Sequence, residues 1–239
     1  MNQPQNAAAN APTIEIDGRP VRLPVIVRDA TAGTALFLVP SAAAQALLPG
    51  DAFAVVEAAP GLTQLAIGFV DYRDNDLGDY DEAMIVFFVR PKNEPTASEG
   101  TFIYALPVNQ PFTCEAGIRI WGFPKSLADI SISYEAQAAR CRLVMDGKLV
   151  FELELPRVIV TDDADEMAMV TYSYTDAPMA TEFHQGGGIG FGDPSAVQLK
   201  LGDHPLARAL ATLGLPSTPL IATWTEHMRG SFAAPEALA

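Results

Sequence analysis

The chain has 239 residues, of which 49% are hydrophobic and 18% charged, the composition of a folded globular protein rather than a disordered one. A formal net charge of −14 and the lack of any basic run argue against nucleic-acid and membrane-surface partners, because phosphate backbones and anionic lipids are repelled. No apolar run reaches membrane-span length, and the two cysteines, Cys114 and Cys141, have neither metal-ligand spacing nor a disulfide framework around them.

Met1 to Pro12 is polar and Ala-rich, with no basic n-region and no apolar h-region. A flexible tail over 1–12 is expected, not a signal peptide, and a cytoplasmic location is the default. From residue 13 onward the reading is strand after strand. Ile14 to Ile16 alternates, Asp17-Gly18 turns, and Val21 to Val27 runs as a strand broken by Pro24. Ala35 to Val39 is a short apolar strand, and Ser41 is placed to cap a helix over Ala42 to Leu48 that Pro49-Gly50 ends. Ala52 to Val56, Gln64 to Val70, Ala83 to Val89 and Phe102 to Leu106 read as strands, the third apolar throughout and so buried. Ile130 to Tyr134, Arg140 to Val144, Val150 to Leu155, Met167 to Tyr174 and Ala196 to Leu201 follow. Pro205 to Leu213 reads as a helix stopped by Gly214, and Leu220 to Met228 as the last strand. With 19 prolines and 18 glycines as punctuation, this is a mainly β fold, one closed or nearly closed antiparallel barrel or sandwich over 13–239 with a few short helices.

Most motif candidates reduce to structure. Gly186 to Gly192 (GGGIGFG) lacks the following Lys-Ser/Thr of a phosphate loop and reads as a flexible loop or lid. Asp71 to Glu82 is dense in acids but misses the calcium-loop spacing, and reads as a solvated loop. Glu82 stands apart, because it opens an apolar strand and can point into a cavity. His184, His204 and His227 are scattered without ligand partners, so no metal site is expected.

The stretch Ala116 to Ser126, AGIRIWGFPKS, sets Trp121, Phe123 and Pro124 beside Lys125. It reads either as a surface lysine leaning on aromatics or as an amine held in an apolar pocket. In the second case burial disfavours the ammonium and lowers the pKa toward a nucleophilic neutral amine. An ordinary lysine, with a pKa of about 10.4, is neutral only about once in 2,500 at pH 7, so activation takes a shift of roughly 3 units.

This stretch resembles the signature of the acetoacetate decarboxylases and their superfamily, whose GREIWGFPKK-like segment carries a Schiff-base lysine. Lys125 falls on that lysine. Leu77 to Glu82 (LGDYDE) resembles the segment with an active-site glutamate, which maps to Glu82, and Gln198 to Leu210 resembles the family's C-terminal strand and helix. The resemblance implies a cone-shaped, mostly antiparallel barrel with the lysine inside, a homo-oligomer, and no metal or organic cofactor, since the lysine itself serves as the electron sink. It implies a lyase acting on a small keto acid, foremost decarboxylation of an acetoacetate-like β-keto acid. The alternatives are a pyruvate aldolase-dehydratase using the same lysine, or a barrel that only binds a small ligand. Departures accompany it. Ser126 replaces the family's second lysine, Ile118-Arg119 stands for its Arg-Glu pair, and the second glutamate falls near Ile67. Its early arginine has no clean match among Arg19, Arg22 and Arg28. Lys125 and Glu82 are therefore expected as catalytic residues, Trp121 and Phe123 as substrate contacts, and Arg119 as carboxylate clamp or charge tuner.

Overall fold

A computed structural model describes residues 12–94, 96–160 and 166–238. The tail expected over 1–12 lies outside the described residues except for Pro12, whose carbonyl accepts from the Leu23 amide. The strands are β1 (Thr13–Ile16), β2 (Arg19–Arg22), β3 (Val25–Pro40), β4 (Phe53–Val55), β5 (Glu57–Ala59), β6 (Leu62–Asn75), β7 (Tyr80–Pro91), β8 (Gly100–Val108) and β9 (Lys125–Leu127). They continue as β10 (Asp129–Tyr134), β11 (Ala138–Met145), β12 (Lys148–Pro156), β13 (Met167–Tyr174), β14 (Pro178–Gly186), β15 (Gly190–Gly192), β16 (Gln198–Leu201), β17 (Ile221–Phe232) and β18 (Glu236–Ala237). Three helices punctuate them: α1 (Ser41–Leu47), α2 (Pro111–Trp121) and α3 (Pro205–Thr212).

Seven strands close a barrel in the order β17-β3-β6-β7-β8-β13-β14, and β14 pairs back onto β17. Every pairing in the ring is antiparallel except β8 with β13. The sheet β10-β11-β12-β16 lies outside and shares a core with the barrel's outer face, where Ile67, Phe69, Ile85 and Phe87 meet Cys141, Leu143, Phe151 and Leu153. A second core fills the interior, including Val70, Tyr72, Val86, Ile103, Trp121 and Phe123. Neighbouring barrel strands are therefore apolar on both faces. That explains the unbroken Ala83 to Val89 run: Met84, Val86 and Phe88 face inward, while Ala83, Ile85, Phe87 and Val89 face the outer core.

The strand spacing was legible, but β3, the acidic stretch and the start of α1 differ from expectation. The two strands expected around Val21 to Val39 are largely one, the sixteen-residue β3, which is hydrogen-bonded to β6 on one edge and β17 on the other. Its small central residues, left unassigned between the two expected strands, suit close packing: a Cβ on Gly33 would come 2.7 Å from Leu155 Cδ1. The acidic stretch from Asp71 is not a loop but the paired tips of β6 and β7 around a short turn, with Asp74 and Asp76 holding Arg28. Ser41 does not cap α1; Pro40 takes the cap position without a side-chain bond, and Ser41 is the first helical residue. Cys114 and Cys141 are both free and buried. Among the described residues no helix is long and apolar enough to cross a membrane.

Candidate active site

Glu82 reaches the interior because of the β alternation. Tyr80, Glu82, Met84, Val86 and Phe88 share the inner face of β7. Lys125 arrives by a different route. Pro111 opens α2, and the Gln110 side chain accepts from the Thr113 amide. Gly122, at φ 61°, then ends the helix in the left-handed conformation that glycine adopts without strain. The chain turns through Phe123, whose amide donates to Gly117 O, and enters β9, which pairs parallel with β8 at Leu106. The Lys125 stem then folds back across α2 at Gly117. A Cβ on Gly117 would stand 2.4 Å from Lys125 Cδ, so the lysine needs this glycine beneath it.

Lys125 Nζ donates to Glu82 Oε2 at 2.8 Å, and the two side chains are 4% and 7% exposed. Tyr80 presents its ring to the ammonium at 5.1 Å and stacks on Tyr72. The Tyr72 hydroxyl donates a long bond to Glu82 Oε1 at 3.5 Å. Trp121 and Phe123 stack on each other with ring centroids 5.5 Å apart, and Trp121 is pinned by its Nε1 donating to Ala233 O. Both line the same cavity of about 310 Å³ as Lys125 and Glu82.

The electrostatics differ from the sequence expectation of a lowered lysine pKa. Burial does pull the Lys125 ammonium down. The Glu82 carboxylate, assisted by Tyr80 and Cys114, outweighs it and holds Lys125 above its ordinary value. Sequence reasoning counted the apolar neighbours and lacked the contact with a residue 43 positions away. Because the folded value exceeds the unfolded one, this linkage contributes stability below pH 10.5 that is lost as pH rises through the folded value. Burial also raises the tyrosines: Tyr72 stands well above its ordinary value, with Glu82 adding to the effect, and Tyr80 is pushed up to about 12 against the opposing pull of Lys125.

Arg119 stands apart from the pair. It lies on the outer side of α2, 47% exposed, facing Glu115 at 3.8 Å and Asp17 at 4.0 Å, and it is not among the cavity-lining residues. Helical geometry accounts for this: Gly117, Ile120 and Trp121 are among the buried positions, and residue 119 turns away from them to the solvent side. The early arginines are no substitute. Arg28 is tied to Asp74 and Asp76, and Arg19 stacks on Phe112 at 3.7 Å. Ile67, the position of the second glutamate, is fully buried in the outer core. Sequence reasoning missed Tyr72, Tyr80 and Gly117. Tyr80 was detectable, since it shares strand parity with Glu82, whereas Tyr72 reaches the site through the β6–β7 register that sets it opposite Tyr80.

The chain matches the family model described as Acetoacetate decarboxylase (ADC) over residues 11–181, well over half of its length. The chain belongs to the acetoacetate decarboxylase family. Members of this family work through a lysine Schiff base without a cofactor. No curated protein matches the chain. Among solved structures it is similar to the acetoacetate decarboxylase of Legionella pneumophila, with 17% identity and a TM-score of 0.69 over 90% of this chain and 87% of that one. It is also similar to an acetoacetate decarboxylase-like enzyme of Sphingomonas wittichii (16%, TM-score 0.63, 91% and 94%). A third similar structure is the enduracididine biosynthesis enzyme MppR complexed with pyruvate (15%, TM-score 0.62, 98% and 93%). At these identities the likeness is one of fold. Among the described residues no group of three or more His, Cys, Asp or Glu is arranged to hold a metal.

Two outcomes follow from the geometry. Breaking a buried pair leaves an uncompensated charge, whereas replacing both partners with apolar groups does not. In denaturant unfolding, Lys125→Met should cost about 3–5 kcal/mol and adding Glu82→Leu should recover most of that; equal losses in the single and double variants would show that the pair is structural. Gly117→Ala should lower the melting temperature, because the ~1 kcal/mol by which alanine favours helix does not offset the several kcal/mol lost when the buried pair is separated. A crystal structure of that variant should show Lys125 Nζ moved out of hydrogen-bond range of Glu82, and an unmoved lysine would refute the assigned role of Gly117.

Proposed function

We propose that the protein is a Schiff-base-forming lyase that decarboxylates a β-keto acid, with Lys125 as the nucleophile and Glu82 as its proton partner. The observation that carries the reading is the 2.8 Å Lys125–Glu82 contact inside an apolar cavity. A raised lysine pKa means that the amine is not neutral at rest. The nucleophile is made within the pair: Lys125 passes a proton to Glu82, and the freed lone pair attacks the ketone carbon. Glu82 then returns that proton to the carbinolamine hydroxyl, which leaves as water, and a cationic iminium stands on Lys125.

The iminium draws the electron pair of the bond to the β-carboxylate. Carbon dioxide departs and a neutral enamine remains, which takes a proton from solvent and is hydrolysed to release the ketone. The step discharges a cation and an anion together, and apolar surroundings such as Trp121, Phe123 and Met84 favour the uncharged products over the zwitterion. Trp121 and Phe123 are read as substrate contacts. Arg119 has no part in this scheme. A cytoplasmic homo-oligomer that needs no metal or organic cofactor belongs with this reading.

Carbon dioxide release from acetoacetate and longer β-keto acids tests it. Lys125→Met should abolish turnover. Glu82→Gln should lower kcat at least ~100-fold, the scale of general acid–base catalysis. The pH profile should also change sign. Wild type loses activity as pH rises through the raised lysine value, because the proton needed for dehydration is gone. In Glu82→Gln burial acts on Lys125 without the opposing carboxylate, so residual activity rises with pH to a plateau. Turnover by Lys125→Met, or an unchanged profile in Glu82→Gln, contradicts the assignment.

A further inference from the structure

The cavity is built for more than a four-carbon acid. Its volume of about 310 Å³ corresponds to roughly ten water molecules at about 30 Å³ each, and it lies in the range of sites that enclose ligands of drug size. Four of the chain's seven methionines, Met84, Met167, Met169 and Met228, line it together with Phe183 and Ile189. Methionine's unbranched, polarizable side chain adapts to varied apolar shapes. Met167 is 46% exposed, so the apolar lining continues to the protein surface.

The charge inventory is as selective as the volume. Among the described residues the cavity wall holds one cation, Lys125, and one carboxylate, Glu82, which are paired with each other; its other described polar groups are neutral hydroxyls and amides such as Thr225 and Gln185. None of the positions outside the described residues is a lysine or arginine. A substrate carboxylate that stays on the molecule would sit in this wall without a counter-charge.

Resting on the Schiff-base reading of Lys125, we propose that the preferred substrate is a β-keto acid whose ketone carries a long or aromatic apolar substituent, and whose only charge is the carboxylate that is lost. The apolar tail lies along the methionine wall, and the carboxylate is the one charged group that the iminium can balance.

The test has two independent arms. In the first, carbon dioxide release is compared for straight-chain β-keto acids of four, six and eight carbons. Each added methylene should raise kcat/KM about fourfold, the worth of burying one CH₂. In a matched pair, 3-oxoadipate, which ends the six-carbon chain in a second carboxylate, should be at least ~100-fold poorer than 3-oxohexanoate, the cost of burying an unpaired charge. In the second arm, calorimetry measures the binding of methyl ketones of five and seven carbons, which needs no turnover. Tighter binding of the longer ketone supports the apolar-tail site even if no acid is decarboxylated, and that combination would overturn the lyase reading alone. A kcat/KM flat or falling with chain length, a diacid accepted as well as its monoacid, or equal affinity for the two ketones overturns the proposal.

Discussion

A carboxylate and an ammonium 2.8 Å apart, both nearly inaccessible to water, constrain everything around them. Removing two ions from water costs several kcal/mol each, and mutual attraction repays this only at good geometry. An apolar pair of the same volume would serve stability at least as well, so a buried pair facing a cavity is better understood through what its shared proton can do. Neither partner has a comparable alternative. Among the described residues Lys125 is the only cation in the cavity wall, and the other groups close to Glu82 are tyrosines that burial keeps protonated.

The fold meets the geometric demand by bringing the two residues from unrelated directions. Glu82 is fixed by strand parity within a sheet buried on both faces, so it cannot turn to solvent without turning Ala83 and Ile85 out of the outer core. Lys125 is fixed by the end of α2. The left-handed Gly122 reverses the chain, β9 docks on β8, and the bare face of Gly117 gives the aliphatic stem a bed. Trp121 and Phe123 pack on each other, and Trp121 packs on Phe232 of the last long strand, tying the loop that carries the lysine to the strand that completes the barrel. The rigidity of the nucleophile's position thus comes from contacts far apart in sequence.

Much of this was legible before any coordinates. Period-two alternation located most strands, and the Trp-Gly-Phe-Pro-Lys segment identified Lys125. What stayed hidden was hidden for physical reasons. β14, which closes the barrel, has small, polar and half-buried residues along most of its length and so carries no clean alternation. α2 had its signals, Pro111 at the start and Gly122 at the end, but the site motif drew the reading away from them. Arg119 looked useful because it is close in sequence to Lys125, while the 100° step of the helix sends it to solvent. The sign of the lysine's pKa shift depends on a contact 43 residues away, which local composition cannot contain.

Covalent capture tests the central claim most directly. Folded protein is incubated with acetoacetate or a longer β-keto acid, reduced with borohydride, and digested for mass spectrometry. The account predicts one reduced adduct on Lys125, absent from Lys125→Met and strongly diminished in Glu82→Gln. An adduct on another lysine, or none on Lys125 with any carbonyl ligand that calorimetry shows to be bound, would contradict it.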